Sequence, residues 1–99
     1  LRFAALPTDF LLYPAYPNPF NPTTNLRFFL PQASPVTLRV FDLTGRLVRT
    51  LVTEPVGRGF RTATWNGKDG DGRAVASGIY LVELRVADLR QVRKIMLLK

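Results

Sequence analysis

Val36-Thr37-Leu38-Arg39-Val40-Phe41-Asp42-Leu43-Thr44-Gly45-Arg46-Leu47-Val48 holds a strand, a turn and the start of a second strand. Val36, Leu38 and Val40 alternate with Thr37, Arg39 and Phe41, the period-2 pattern of a half-buried strand. Asp42-Leu43-Thr44-Gly45 puts Asp first and Gly fourth in a tight turn. The next strand, Arg46–Val52, is therefore expected to pair back as a hairpin.

The same alternation extends in both directions. Leu26, Phe28 and Leu30 alternate with Asn25, Arg27 and Phe29, and Ala63 and Trp65 share one face of a strand near 60–66. Ser77-Gly78 launches a long strand on which Tyr80, Val82, Leu84 and Val86 face one way. Thr53–Gly59, with Pro55, Gly57 and Gly59, reads as loop. Asn66–Gly72 is turn chemistry throughout. Ala87–Arg90 is expected to turn the chain into a last strand over Gln91–Leu98. Near the start, Phe10-Leu11-Leu12-Tyr13 suits one short strand before Pro14. Prolines at 17, 19 and 22 then impose an extended arm, packed by Tyr16 and Phe20. No amphipathic helix appears. The pattern is all-β, an immunoglobulin-like β-sandwich of about seven short antiparallel strands. A small barrel is the alternative.

Composition removes several function classes. The chain has 99 residues, the size of one domain, and Cys 0 and His 0. A disulfide framework and a thiol nucleophile are impossible, and the usual general base is missing. Acid–base catalysis would need two carboxylates facing each other across a cleft. Of the seven acids, only Glu83 falls mid-strand, and nothing pairs them. No catalytic residue is expected, and no cofactor. Asp69-Gly70-Asp71-Gly72 resembles a calcium loop, but Gly67 and Gly78 stand where an EF-hand needs oxygen ligands. A hairpin loop held by Asx-type hydrogen bonds is the simpler expectation, with incidental calcium at Asp69 and Asp71 the other.

Fourteen Lys and Arg against seven Asp and Glu give a formal charge of +7. That favours acidic partners. The bases stand singly, as Arg27, Arg39, Arg49, Arg61, Arg85 and Arg93 do, and no nucleic-acid reader motif accompanies them. A solvated basic surface and no nucleic-acid partner are expected. No stretch reaches the ~20 apolar residues of a membrane helix. The sequence opens Leu1-Arg2-Phe3 without Met or signal-peptide features, so it is expected to be the C-terminal piece of something larger. Exposed aromatic rings would suit sugar stacking. Trp65 and Tyr80 are expected in the core instead, with Tyr13, Tyr16 and Phe20 open.

The two ends carry the most distinctive residues. Tyr16-Pro17-Asn18-Pro19-Phe20-Asn21-Pro22-Thr23-Thr24 resembles the opening signature of C-terminal sorting domains of the type IX (Por) secretion system. Val40–Arg46, Trp65–Asp69 and Ser77–Tyr80 continue the resemblance, and Arg93-Lys94-Ile95-Met96-Leu97-Leu98-Lys99 closes it. The middle is also similar to the immunoglobulin-like domain of flagellar hook-capping proteins. The turn Ala87-Asp88-Leu89-Arg90 departs from the family in lacking glycine.

The resemblance implies a linker and possible first strand over 1–13 and a sorting domain over 14–99. It implies a non-catalytic signal that takes an upstream passenger, often a hydrolase, through the periplasm and the outer-membrane translocon of a Gram-negative bacterium. A sortase-like protease would then act at the cell surface, releasing the passenger or attaching it there. Arg93–Lys99 would be the sorting signal. The alternative is a carbohydrate-binding or structural spacer sandwich appended to a secreted enzyme.

Overall fold

The computed structural model describes residues 9–99. The first eight residues of the expected 1–13 linker lie outside that range. Seven strands follow in order: β1 (Leu11–Leu12), β2 (Thr24–Leu30), β3 (Ser34–Asp42), β4 (Leu47–Val56), β5 (Gly59–Trp65), β6 (Gly78–Val86) and β7 (Leu89–Leu97). They form a three-stranded sheet, β1-β2-β5, and a four-stranded sheet, β4-β3-β6-β7. Every strand pairing is antiparallel. The expected all-β sandwich is the observed fold.

Alternation builds the core as the sequence indicates. Val36, Leu38 and Val40 of β3 and Tyr80, Val82 and Leu84 of β6 meet Leu26, Phe28 and Leu30 of β2 between the sheets. Trp65 is fully buried. Its ring lies 5.5 Å from Phe20 and edge-on to Tyr80 at 5.2 Å. Its Nε1 donates to the Lys68 carbonyl at 2.8 Å, so the indole is buried without an orphaned donor. The Tyr80 hydroxyl likewise donates to the Ala76 carbonyl at 2.6 Å. Of the rings left open by the sequence, Phe20 is core, whereas Tyr16 is 78% exposed and does not pack the arm.

Three element boundaries differ from expectation. Thr53–Val56, expected as loop, continues β4, and Gly57 and Arg58 alone separate it from β5. β4 is an edge strand, where a proline's missing N–H costs no ladder bond, so Pro55 is tolerated. The last hairpin turns on Ala87-Asp88 rather than on four residues, and β7 starts at Leu89. Ala87 takes φ 53, a left-handed conformation that glycine adopts more cheaply. The strand after Gly45 starts at Leu47, because Arg46 still belongs to the turn: its carbonyl accepts from Asp42 N–H at 3.0 Å.

Truncating the largest core side chain tests this packing. Trp65→Ala is expected to cost about 3–5 kcal/mol, against a total of roughly 5–15 kcal/mol for a domain of this kind. A thermal melt should show a large drop; an unchanged melt would contradict the burial of the ring.

Candidate functional site

The distinctive residues at the two ends of the sequence occupy one place. β7 is an edge strand, hydrogen-bonded to β6 on one side along its length. Its other side would show unpaired N–H and C=O groups, the template on which foreign strands add. The proline-rich arm lies there instead.

Asn18 acts as a substitute peptide group. Its Oδ1 accepts from Met96 N–H at 2.9 Å, and its Nδ2 donates to the Lys94 carbonyl at 3.2 Å. Phe20 continues the edge in parallel with Leu97. Its N–H donates to Met96 C=O at 2.9 Å, and its carbonyl accepts from Leu98 N–H at 3.0 Å. The arm is fixed in turn to β2. Tyr16 and Asn25 exchange two backbone hydrogen bonds, and Thr24 Oγ1 donates to the Pro17 carbonyl at 2.7 Å. Gly67, at φ 74, sits against this joint: a Cβ there would meet Leu97 Cδ2 at 3.5 Å and the Pro22 carbonyl at 3.6 Å. Pro19, Asn21 and Pro22 lie exposed between these anchors.

Further along β7, its side chains reach the other sheet. Gln91 and Arg93 share a face with Ile95 and Leu97, beyond the end of the core. Gln91 Oε1 accepts from Leu12 N–H at 2.8 Å, and Nε2 donates to the Phe10 carbonyl at 2.9 Å. Arg93 Nε donates to Leu12 C=O at 2.8 Å. The outer edge of β1 is thus capped by β7, as β7 is capped by the arm.

The expected signal Arg93–Lys99 divides by direction. Ile95 and Leu97 are buried at 1% and 2% exposure. Arg93 is spent on β1, and Met96 is half-buried. Lys94, Leu98 and Lys99 stay exposed. Sequence reasoning missed Gln91. Its signal was a polar residue in phase with Ile95 and Leu97, on the inward side of the last strand.

The two acidic turns line a separate open groove of about 900 Å³ with Arg46, Arg49, Arg73 and Tyr80. Asp42 Oδ1 accepts from the Thr44 hydroxyl, Thr44 N–H and Arg46 N–H. The Thr44 hydroxyl bond is the chief cause that holds its carboxyl down at about 2. Asp69 Oδ1 accepts from Asp71 N–H and Arg73 N–H, the Arg73 bond doing most to lower its pKa. Both are Asx-type turns, as expected at Asp69; at Asp42 the side-chain bonds brace the expected tight turn. Burial pushes the Tyr80 hydroxyl up from its usual value. Among the described residues, no three of His, Cys, Asp and Glu gather to hold a metal ion, and no helix is long and apolar enough to cross a membrane.

Residues 19–88 match the sequence pattern of the FlgD Ig-like domain. This chain belongs to the FlgD Ig-like domain family. It is 38% identical over 56 residues to the basal-body rod modification protein FlgD of Salmonella typhimurium, 57% of this chain and 24% of that protein. The chain thus spans about a quarter of the length of the curated relatives it matches. Two solved structures share the fold. Dimeric latent PorU from Porphyromonas gingivalis superposes with a TM-score of 0.70 at 21% identity, over 90% of this chain and 9% of that one. PorZ, an essential bacterial surface component of the type-IX secretion system of the same organism, gives 0.61 at 25% identity, over 89% of this chain and 11% of that one. The FlgD Ig-like match begins at Pro19 and stops at Asp88, so Asn18 and all of β7 lie beyond it.

Removing the Asn18 amide should loosen the arm without unfolding the sandwich. Asn18→Ala is expected to cost about 1–2 kcal/mol, and hydrogen exchange at the Met96 amide should accelerate. Unchanged protection at Met96 would mean that the amide does not hold the edge. Acid behaviour follows from Asp42. A carboxylate whose pKa is depressed on folding stabilises the fold above its unfolded value, and that contribution goes as pH falls through the folded one. The melting temperature is therefore expected to drop between about pH 4 and pH 2, and Asp42→Asn to flatten that part of the curve.

Proposed function

We propose that this chain is a non-catalytic sorting domain of the type IX secretion system. It would carry an upstream passenger of the same polypeptide through the periplasm to the outer-membrane translocon, with a sortase-like protease acting at the cell surface. Residues 14–99 form the sorting unit in this reading, and residues up to 13 link it to the passenger while contributing β1. The observation that carries the proposal is the joint between the arm and β7. Asn18 and Leu97 lie far apart in sequence, and both fall outside the stretch that matches FlgD. The likeness to PorZ, which spans 89% of this chain, adds support.

The joint also suggests how a receptor would read the domain. The edge of β7 from Lys94 to Leu98 is already hydrogen-bonded, so a partner cannot recognise that stretch by adding a strand. It would read side chains held in fixed positions: Lys94, Leu98 and Lys99, with Arg93 held on the other face of β7 by its bond to the Leu12 carbonyl. Membership of the FlgD Ig-like family favours a second reading, a structural spacer. A sugar-binding spacer is less well served. The exposed ring of Phe60 on the three-stranded sheet has the Arg27 guanidinium over it, 4.2 Å from its centroid.

A fused reporter passenger in a bacterium that has this export system tests the proposal. Deleting Lys94–Lys99 should strand the passenger in the periplasm. Because that deletion also removes core residues Ile95 and Leu97, a second variant, Lys94→Ala with Leu98→Ala and Lys99→Ala, changes exposed side chains alone. It should fold, yet deliver less passenger to the surface. Normal delivery by both variants would overturn the sorting role and leave the spacer reading.

A further inference from the structure

The solvent face of the four-stranded sheet carries a cluster that the sorting role does not use. Alternation turns Thr37, Arg39 and Phe41 of β3 away from the core, with Leu81, Glu83 and Arg85 of β6 and Arg90, Val92 and Lys94 of β7. The register sets Arg39, Glu83 and Val92 in one row and Thr37, Arg85 and Arg90 in the next. Glu83 points outward yet is only 5% exposed. Arginines cover it. Its Oε1 accepts from Arg39 Nη2 at 2.9 Å, and its Oε2 accepts from Arg90 Nη1 at 3.1 Å and lies 3.7 Å from Arg85 Nη2. Burial pushes its carboxyl up, but the hydrogen bonds from Arg39 and Arg90 and the charges of Arg39 and Arg85 bring it below its usual value. The carboxylate therefore stays ionised and fixes the guanidinium groups in place.

One anion cannot neutralise this face. Arg39, Arg85 and Arg90 stand around the single carboxylate, and the side chains of Arg85 and Arg90 remain 43% and 61% exposed. Two further features lie at the same place. Thr37 Oγ1 and Arg39 Nε are buried without a hydrogen-bond partner, a rarity in native proteins. Beside Thr37 and Arg85 lies a groove of about 390 Å³, also lined by Pro35, Pro55 and Glu54. The Glu54 carboxylate accepts from Arg61 Nη2 at 2.9 Å.

We propose that this face docks an acidic protein surface, one that sets carboxylates among apolar side chains, with Arg85 and Arg90 as its anchors. Guanidinium forks held in a fixed plane match carboxylates bidentately. Around them Leu81, Val92 and Met96 offer apolar area, and Val92 is 44% exposed. A purely polar polyanion would leave that area unused. Nucleic acid fits less well, because the Phe41 ring is half-buried and already has the Arg39 guanidinium over it, 5.1 Å from its centroid, where a base would stack. The inference does not depend on the sorting role.

Titration of the labelled domain with a random copolymer of glutamate and tyrosine, followed by NMR, tests it. Polyglutamate and polygalacturonate serve as comparison probes. The copolymer should bind most tightly, with shifts centred on Thr37, Arg39, Arg85 and Arg90. Arg85→Gln with Arg90→Gln should weaken it by about tenfold or more. Arg58→Gln with Arg73→Gln, equal in charge but off this face, should change it by less than about twofold. If the first double variant melts early, Arg85→Lys with Arg90→Lys serves in its place: it keeps the positive charge beside Glu83 but loses the guanidinium forks, and should still weaken binding several-fold. Equal losses from both sites, tighter binding of polygalacturonate, or no saturable binding would each overturn the proposal.

Discussion

The carboxamide of Asn18 mimics a peptide bond on the edge of β7, and the organisation of the molecule follows from that contact. An open β-sandwich leaves strand edges with unmet hydrogen bonds, which natural proteins must cover or blunt. Here the arm covers β7, and Gln91 and Arg93 of β7 cover β1. Each sheet thus supplies the cap for the other along one flank. The same arm seats Phe20 against Trp65, so edge closure and core packing share one segment.

The opposite flank is treated differently. β4 and β5 keep free outer edges over most of their length. Only the start of β4 is covered, where Gly70 N–H donates to the Val48 carbonyl at 3.0 Å and Arg49 reaches the Asp69 carbonyl at 2.9 Å. Pro55 and the exposed Glu54–Arg61 pair discourage chance strand pairing along the rest. The molecule therefore has a closed flank that holds the distinctive residues and a guarded flank that holds ordinary turns.

Much of this was legible in the sequence because alternation is a local property. The inward rows of β2, β3 and β6, the burial of Trp65 and the Asx turns at Asp42 and Asp69 all follow from residues within a few positions of one another. What escaped was set by distant partners. Thr53–Val56 looks like loop because of Pro55 and the glycines that follow at 57 and 59, yet pairing with β3 carries the strand through. Glu83 looks like an ordinary outward acid until Arg39 and Arg90 close over it from neighbouring strands. Asn18 and Phe20 resemble part of a proline-rich arm, and nothing local reveals that their partners are Lys94, Met96 and Leu98.

Side-chain hydrogen bonds that tie the arm and the β1 segment to β7 span 76 to 81 positions of sequence. Contacts of that range close long loops, and the entropy of closing them slows folding. The segment from Phe10 to Phe20 can dock on β2 once Thr24–Leu30 is in place, but its partners on β7 arrive only with residues 91–98. A chain lacking residues 91–98 would show an unzipped flank, open to proteases and to stray strands. The architecture thereby couples the presence of β7 to the protection of the sandwich's own margin, a form of quality control written into the order of the strands.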